Sequence, residues 1–308
     1  MAYKIPILLI TWRRPDTTAK VLNSLRKIQP NKIYIASDGP EITRKGEVEK
    51  VKETRELIDN KITWKCTVEK LYSENNQGCK QGVRKSIDWF FSHEEMGIIL
   101  EDDIVPKEEF FYFCEYNLKK HQKNKNIYTI GGFSALINEY PYLSMHGSVW
   151  GWATWRDRWL NYEEKIPNNK DFESLKSNSS NFSIMTWKLA SRIQKGKNPI
   201  DTWDYWWLFT RIRNRGYSLL PSKALTYNCG ISSEGSTHMK NKDFRLINIM
   251  KMIKNSPAID KKDLEKDPIS INDAVIKNYD KKRLSARFGR FNILFIHIKL
   301  ILKNYLIN

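Results

Sequence analysis

Short apolar segments alternate with longer amphipathic segments from the N-terminus to residue 130. The apolar runs are each long enough for one buried strand, and they are Ile5–Thr11, Lys32–Ser37, Thr63–Leu71 and Met96–Leu100. The segments between them have helical spacing, and they are Pro15–Ile28, Thr43–Asn60 and Gly78–Ser92. This alternation predicts an α/β fold with a mostly parallel, doubly wound sheet flanked by helices.

Polar residues follow two of these strands at the points where the strands end. Ser37-Asp38-Gly39 follows the second strand, and Glu101-Asp102-Asp103 follows the fourth. Ligands of doubly wound sheets bind outside the carboxyl ends of the strands. We therefore expect both segments to lie at a ligand site.

The three consecutive carboxylates of Glu101, Asp102 and Asp103 repel one another. A divalent cation removes this conflict, and Mg²⁺ or Mn²⁺ takes oxygen ligands from one or two carboxylates plus substrate phosphates. The alternative is an acidic helix N-terminus, because Pro106 and the predicted helix Lys107–His121 follow at once. The order of strand, acidic triplet, apolar pair and proline favours the metal site.

Tryptophan is concentrated in two groups after Gly131. The first group is Trp150, Trp152, Trp155 and Trp159, and the second is Trp187, Trp203, Trp206 and Trp207. Aromatic side chains line small-molecule sites, and sugars stack on them, but aromatic residues more often fill a core. Both interpretations stay open for these groups.

Several motifs occur in one order along residues 4–240. They are Ile10-Thr11-Trp12-Arg13-Arg14-Pro15, Ser37-Asp38-Gly39, Glu101-Asp102-Asp103-Ile104-Val105-Pro106 with Phe110-Phe111-Tyr112-Phe113, Gly151-Trp152-Ala153-Thr154-Trp155, and Trp203-Asp204-Tyr205-Trp206. This set resembles GT-A glycosyltransferases, and among them the N-acetylglucosaminyltransferase I group and its bacterial relatives. The resemblance implies a GT-A (Rossmann-like) sheet with an acceptor-side elaboration, and transfer of a sugar from a nucleotide-sugar, with UDP as the expected nucleotide.

The chain is expected to have three parts. The resemblance implies that residues 1–130 form the nucleotide-sugar-binding half, and residues 131–245 the acceptor-binding and catalytic half of the same domain. Residues 246–308, outside the resemblance, would form a C-terminal helical tail.

The resemblance also assigns donor-side roles to individual residues. Asp103 would bind the divalent metal, Mn²⁺ or Mg²⁺, while Glu101 and Asp102 would contact the nucleotide and nearby waters. The other donor-side residues would be Thr11, Arg13, Asp38, Asn76, Lys80 and Trp152. Backbone N–H groups near Asn75 and Asn76, where the third helix begins, are expected to bind phosphate.

Asp204 occupies the position at which the resembling enzymes hold a general base. Inverting sugar transfer needs a carboxylate that deprotonates the acceptor hydroxyl as it attacks the anomeric carbon. The alternative is that Asp204 caps the helix reaching Arg215, a role that Thr202 would fill equally. A retaining transferase also stays open, because the metal site does not determine stereochemistry.

The segment Cys229–His238 is a polar loop containing glycine, which we expect to close over the nucleotide. His238 in this loop would add a metal or diphosphate contact, or would be an ordinary surface histidine.

Charge is concentrated at the C-terminus of a basic chain. The 52 Lys and Arg residues exceed the 35 Asp and Glu residues, giving a net charge of +17, which suggests a polyanionic partner or a lysine-rich composition bias. A basic cluster at residues 281–290 precedes the amphipathic run Phe291–Ile307. That pattern is typical of a helix on an anionic membrane surface, and packing on the protein or on a second subunit is the alternative.

Because Met1–Ile10 has the pattern of a strand and not of a signal peptide, we expect a cytoplasmic protein attached peripherally to the membrane.

Other function classes fit the sequence less well. A nucleic-acid partner is not expected, because no recognised nucleic-acid-binding module occurs. A nucleotidyltransferase acting on sugar phosphates would share the sheet and the carboxylates, but Thr11–Pro15 has no glycine where such enzymes usually carry a glycine-rich, basic signature. A non-catalytic sugar-binding relative is disfavoured by the intact carboxylates.

For a glycosyltransferase, the expected acceptor is a glycan or a lipid-linked acceptor in bacterial surface polysaccharide synthesis.

Overall fold

The computed structural model describes residues 2–134, 138–145, 147–168, 193, 202–232 and 244–270. Its strands are β1 (Ile7–Thr11), β2 (Lys32–Ser37), β3 (Thr67–Tyr72), β4 (Met96–Glu101), β5 (Ile104–Pro106), β6 (Ile127–Gly131), β7 (Tyr142–Ser144), β8 (Trp152–Trp155), β9 (Tyr217–Leu220), β10 (Thr226–Asn228) and β11 (Ile269–Ser270). Its helices are α1 (Pro15–Ile28), α2 (Glu47–Lys61), α3 (Gly78–His93), α4 (Glu108–Lys120), α5 (Arg156–Trp159), α6 (Asp204–Arg213), α7 (Phe244–Asn255) and α8 (Lys261–Leu264). Gly230–Ser232 form a 3₁₀ turn.

Nine of these strands form one sheet in the order β11-β7-β9-β6-β8-β4-β1-β2-β3. β4, β1, β2 and β3 are parallel neighbours, connected in sequence through α1, α2 and α3. The strand order reverses between β1 and β4, which makes their carboxyl ends a topological switch point. The predicted α/β fold, with a mostly parallel sheet flanked by helices, is confirmed.

Two predicted boundaries differ from the structure. α2 begins at Glu47 and not at Thr43, because Gly46 before it has a left-handed backbone with φ of 76°. β3 begins at Thr67 and not at Thr63, and the indole of Trp64 in the preceding turn donates to the carbonyl of Pro30 at 3.2 Å. The remaining predicted strands and helices agree with the structure within about two residues.

The second half of the chain extends the same sheet. β8 lies antiparallel between β4 and β6, and β9 pairs in parallel with β6. A separate ribbon pairs β10 with β5, with Asn228 opposite Ile104. This ribbon carries the segment after Asn228 to the acidic triplet at the end of β4.

The two faces of the sheet bury different side chains. One face packs aliphatic residues of α1, such as Val21, Leu22 and Leu25, against the sheet and α4. The other face packs α3 against a cluster of buried tryptophans, whose members are Trp152, Trp159, Trp203 and Trp207. Each Å² of apolar surface buried in these two layers contributes about 25 cal/mol to stability. The polar loops of the site are therefore held by a well-packed sheet.

None of the described helices is long and apolar enough to cross a membrane. The predicted membrane-binding tail at residues 281–308 lies outside the described residues, as does His238.

Candidate functional site

A cavity of about 870 Å³ opens at the carboxyl ends of β1, β2 and β4. Thr11, Ser37 and Glu101, the last residues of these strands, line it, and both halves of the chain contribute to its walls. Carboxylates outnumber cations along the lining: Asp38, Glu74, Glu101, Asp102, Asp103 and Asp204 against Arg14, Lys85 and Arg211. Phosphate groups would bind such a surface only with additional positive charge.

Arg14 is bound to two of the three carboxylates at the end of β4. Its Nη1 donates to Asp103 Oδ2 at 2.9 Å, and its Nη2 donates to Asp102 Oδ1. Burial opposes the charge on Arg14, but Asp102 and Asp103 outweigh it and raise the pKa of the guanidinium. Asp102 also accepts a hydrogen bond from the backbone N–H of Trp12 at 3.2 Å. Arg14 therefore balances part of the negative charge that the sequence places here.

Glu101, the first residue of the triplet, has a carboxyl group with a raised pKa. Burial, followed by the charges of Asp103 and Asp102, raises the pKa of Glu101 to about 8. Asp204 also contributes to this shift, so its charge lies within electrostatic reach of the triplet although it is distant in sequence. The same site therefore contains the acidic triplet and the candidate base.

We expect the substitution Glu101→Gln to stabilise the metal-free protein increasingly as the pH rises from 5 to 8. A folded-state pKa above the usual value of 4.5 means that stability is present at low pH and is lost as the pH rises towards about 8. One pKa unit corresponds to about 1.4 kcal/mol, or roughly 2–4 °C in Tm for a protein of this size. Thermal unfolding in chelator at several pH values measures the difference.

The matched control for this experiment is Glu69→Gln, which changes an exposed carboxylate on β3. Its Tm should follow the wild type at every pH. A constant Tm difference between wild type and Glu101→Gln across this range would contradict the raised pKa.

Asp38 binds the start of α3. Its Oδ1 accepts from the N–H groups of Gly39 at 2.8 Å and Gln77 at 2.9 Å, and its Oδ2 accepts from Gly78 at 3.2 Å. Burial raises the pKa of Asp38 against these hydrogen bonds and the charge of Arg55. The leading N–H groups of α3 therefore bind a carboxylate of the protein in this structure, and the phosphate site at this helix start stays a prediction.

Thr11 and Asn76 lie at the cavity as predicted. The hydroxyl of Thr11 donates to the carbonyl of Ala36 at 3.3 Å. The amide of Asn76 donates to the carbonyl of Gly39 at 3.0 Å and accepts from the N–H of Gly78 at 3.1 Å. Their contact with a nucleotide remains a prediction.

Arg13 and Lys80 are not among the residues that line the cavity, and their donor-side roles stay predictions. Arg13 pairs with Glu47 at 2.8 Å and lies over the ring of Trp12. Lys80 pairs with Glu164 and lies over the ring of Trp206. The cation that the sequence analysis missed is Arg14, whose position directly before Pro15 places it at the edge of the sheet where α1 begins.

Trp152 packs in the core and is not among the residues that line the cavity, and its contact with the donor sugar stays a prediction. Its side chain is fully buried and stacks on Trp203 at a centroid distance of 5.6 Å. Trp150, two residues earlier, lines the cavity instead and contacts Phe133 edge to face. Between them Gly151 has φ of 73°, a turn that separates the cavity residue from the core residue.

We expect Trp150→Phe and Trp152→Phe to have opposite effects. Trp152→Phe should lower stability by about 0.5–3 kcal/mol without changing ligand affinity, because it opens space in the core. Trp150→Phe should weaken ligand binding with little change in stability, because its ring faces the cavity. Paired measurements of Tm and of UDP affinity distinguish the two, and a loss of affinity only in the Trp152 variant would reverse the assignment.

Asp204 is the first residue of α6 and lines the cavity. Its carboxylate accepts a hydrogen bond from the hydroxyl of Thr202. The residue at the N-cap position is Trp203, which makes no side-chain capping bond. The structure thus gives Asp204 no capping contact, and its role as a base remains a prediction.

Oxygen atoms of the acidic triplet are suitable ligands for a hard divalent cation. Gly230 lies directly against Asp103, since a Cβ there would come within 2.5 Å of Asp103 Oδ2, and the N–H of Cys229 donates to the Asp103 carbonyl at 2.8 Å. The described residues contain no cluster of three or more His, Cys, Asp or Glu side chains arranged for a metal. Asp102 and Asp103 line the cavity and would offer one or two oxygen ligands to such an ion, with phosphates and water supplying the others.

No family model and no curated protein matches the sequence. Among solved structures 53 chains match. HddC from Yersinia pseudotuberculosis is 10% identical, with 50% of this chain and 77% of that chain covered and a TM-score of 0.31. 4-Diphosphocytidyl-2C-methyl-D-erythritol synthase from Anaerococcus prevotii is also 10% identical, with 56% and 84% covered and a TM-score of 0.33. A UDP-glucose pyrophosphorylase without ligand is 10% identical, with 73% and 93% covered and a TM-score of 0.33.

These similarities concern the α/β fold. None of the three named structures carries the name of a glycosyltransferase, so the narrower GT-A resemblance rests on the sequence motifs.

Proposed function

We propose that this protein is a nucleotide-sugar-dependent glycosyltransferase of the GT-A type. The observation that carries the proposal is that Asp204 and the Glu101–Asp103 triplet line one cavity at the switch point of the sheet. A sugar-transfer site needs these two acidic elements together, one for the donor diphosphate and one for the acceptor hydroxyl. Residues 1–130 supply the donor side in this proposal, and residues 131–245 supply the acceptor side.

The donor would lie along the ends of β1, β2 and β4. Thr11, Asn76 and the ring of Trp12 border the space for the nucleoside, and the diphosphate would approach Asp103. Mn²⁺ or Mg²⁺ held by Asp103 would neutralise the charge that develops on the leaving diphosphate. Arg14, bound to Asp102 and Asp103, keeps these carboxylates in position beside the diphosphate.

Asp204 would act on the acceptor from the opposite wall. Its carboxylate removes the proton of the attacking hydroxyl, the oxygen forms the bond to the anomeric carbon, and the nucleoside diphosphate leaves with the electrons of the old bond. The hydrogen bond from Thr202 fixes the orientation of the carboxylate. Attack from the face opposite the leaving group would invert the anomeric configuration.

Nucleotidyl transfer to a sugar phosphate is the second candidate. It is favoured by Arg211, a buried cation in the cavity wall that would suit the phosphate of such a substrate. The name of the similar UDP-glucose pyrophosphorylase points to the same class of reaction. The two candidates differ in what is released, a nucleoside diphosphate in one and pyrophosphate in the other.

One screen tests both candidates. Thermal unfolding is measured with UDP-, GDP- and dTDP-sugars, and with UTP plus glucose 1-phosphate, each with Mn²⁺, Mg²⁺ or chelator. A metal-dependent rise in Tm with one nucleotide-sugar, followed by release of the nucleoside diphosphate, supports glycosyl transfer. Pyrophosphate release from UTP would instead establish the second candidate, and no response to any nucleotide would contradict both.

The proposed setting is the cytoplasmic face of a bacterial membrane, where the chain would act on a glycan or lipid-linked acceptor for surface polysaccharide. The basic residues at 281–290 and the apolar run at 291–307 would bind anionic lipid. Truncation after residue 270 should therefore abolish sedimentation with vesicles containing phosphatidylglycerol, while vesicles of phosphatidylcholine serve as the control. Equal sedimentation of both proteins would contradict this role of the tail.

A further inference from the structure

Arg211 is a buried arginine that makes few hydrogen bonds to the described residues. The residue is 2% exposed. Nη1 donates to the hydroxyl of Ser218 and to the carbonyl of Met145 at 3.4 Å, while Nε has no partner among the described residues. A guanidinium has five N–H donors and normally binds a carboxylate or phosphate when it is buried.

Arg158, an equally buried arginine of the same protein, shows how a structural guanidinium is satisfied. Arg158 pairs with Asp157 at 2.7 Å, and its other donors bind the backbone carbonyls of His121, Gln122, Asn124 and Ile127. Arg211 takes part in no ion pair with a described residue, and burial alone lowers its pKa to about 10. Arg211 therefore carries a full positive charge at neutral pH without a compensating anion among the described residues.

The position of Arg211 connects it with the candidate base. Asp204, Tyr205, Leu208 and Arg211 all line the cavity, and their spacing places them along one face of α6. Two helical turns, or about 10 Å along the axis, separate Asp204 from Arg211. Beside the guanidinium the backbone of Gly147 comes so close that a Cβ would lie 3.5 Å from Arg211 Nη1 and 2.2 Å from Ser218 Oγ.

We propose that Arg211 forms an anion subsite for the second substrate, which carries a phosphate or carboxylate group beyond the hydroxyl that reacts at Asp204. This proposal rests on the proposed function, because it places the second substrate along the cavity-facing side of α6. The guanidinium binds the anion with two parallel hydrogen bonds, for which Nε and an Nη group have the matching geometry. An acidic sugar supplies the carboxylate, and a sugar phosphate or a lipid-linked phosphate supplies the phosphate.

Binding of small anions tests the subsite directly. Glucose 1-phosphate, glucuronate and glucose are titrated into the metal-free protein at constant ionic strength. We expect either or both anions to bind and glucose to bind at least tenfold more weakly. Arg211→Gln should weaken the anion by on the order of 10- to 100-fold, since it removes hydrogen bonds to a charged group. The preferred anion identifies the source, a phosphate or an acidic sugar.

Arg213→Gln is the matched control, because this arginine lies on the same helix but pairs with Glu163 at 3.1 Å outside the cavity. It should bind the anions as the wild type does. If Arg211→Gln does not fold, Arg211→Lys keeps the charge and should retain part of the affinity while losing the preference for a planar carboxylate. Equal binding of anions by wild type and Arg211→Gln, failure of the wild type to bind either anion, or an equal loss in Arg213→Gln would overturn the proposal.

A parallel titration with UDP and Mn²⁺ separates this proposal from the proposed function. Arg211→Gln should bind UDP as the wild type does, because the nucleotide lies at the ends of β1, β2 and β4. If the wild type binds the anions but no nucleotide, the subsite stands and the proposed function fails. If it binds nucleotide but no anion, the subsite fails and the proposed function stands.

Discussion

Asp204→Asn should lower turnover by on the order of 10²–10⁴-fold while leaving the affinity for the nucleotide-sugar unchanged. Asparagine has nearly the same shape and can still accept the hydrogen bond from Thr202, but it cannot take a proton from the acceptor hydroxyl. Because Asp204 starts α6 and the proposed donor site lies at the strand ends, we expect its charge to affect the chemical step more than donor binding. Initial rates with saturating donor, together with calorimetric affinity, measure the two quantities separately.

The matched control is Asp16→Asn. Asp16 also lies in the first turn of a helix, but it is exposed and is not among the residues that line the cavity. The same substitution there should change Tm and turnover by little. A variant of Asp204 that unfolds at lower temperature but keeps its turnover would show that the residue stabilises the start of α6 and does not act as a base.

Periodicity along the chain was sufficient to predict the first half of the fold. The apolar runs that became β1, β2 and β4 are buried on both faces, and short, uninterrupted runs of this kind are typical of central parallel strands. The place of the acidic triplet followed from the same reasoning, because it comes directly after β4. The local sequence pattern is enough to predict where a residue lies when its position depends only on where its own strand ends.

The second half depends on contacts between distant parts of the chain, which no local pattern contains. Four consecutive residues of β8 are buried because this strand is inserted between β4 and β6, so Trp152 enters the core. Trp150 reaches the cavity only because Gly151 reverses the local backbone. Sequence reasoning recognised a tryptophan-rich site and assigned Trp152 to it, whereas Trp150 lines the cavity.

Adjacent charged residues could not be told apart for a related reason. Arg13 and Arg14 are adjacent residues of the same type, so the sequence does not distinguish them. The turn between β1 and α1 decides that Arg14 pairs with Asp102 and Arg13 with Glu47. Asp38 accepts hydrogen bonds from N–H groups 39 and 40 residues later in the chain, a contact with the start of α3 that no local pattern indicates. Nothing in the sequence indicated that Arg211 belongs to the site. Arg211 stands out only in the structure, where it is buried without a carboxylate partner among the described residues.

Asp103→Asn should remove most of the gain in nucleotide affinity that the metal provides. With Mn²⁺ the affinity for the nucleotide-sugar should fall by more than the roughly 10–100-fold that loss of an outer-shell partner costs, because the proposed direct ligand is removed. In chelator the affinity should be unchanged or slightly higher, since one negative charge next to the diphosphate has gone. Asparagine has nearly the same size as aspartate, so its side chain should fit beside Gly230, which lies directly against Asp103.

The two conditions together distinguish a metal ligand from a merely structural carboxylate. Asp103 also binds Arg14 at 2.9 Å, so a structural role would lower affinity equally with Mn²⁺ and with chelator. Calorimetry of wild type and variant under both conditions measures this difference, and Tm in the absence of ligand shows whether the site remains folded. In chelator, loss of a metal ligand should leave the nucleotide affinity unchanged or slightly higher, whereas loss of a partner of Arg14 should lower it. Undiminished affinity with Mn²⁺ would therefore refute the ligand role. An equal loss of affinity in both conditions would show that Asp103 holds Arg14 in place.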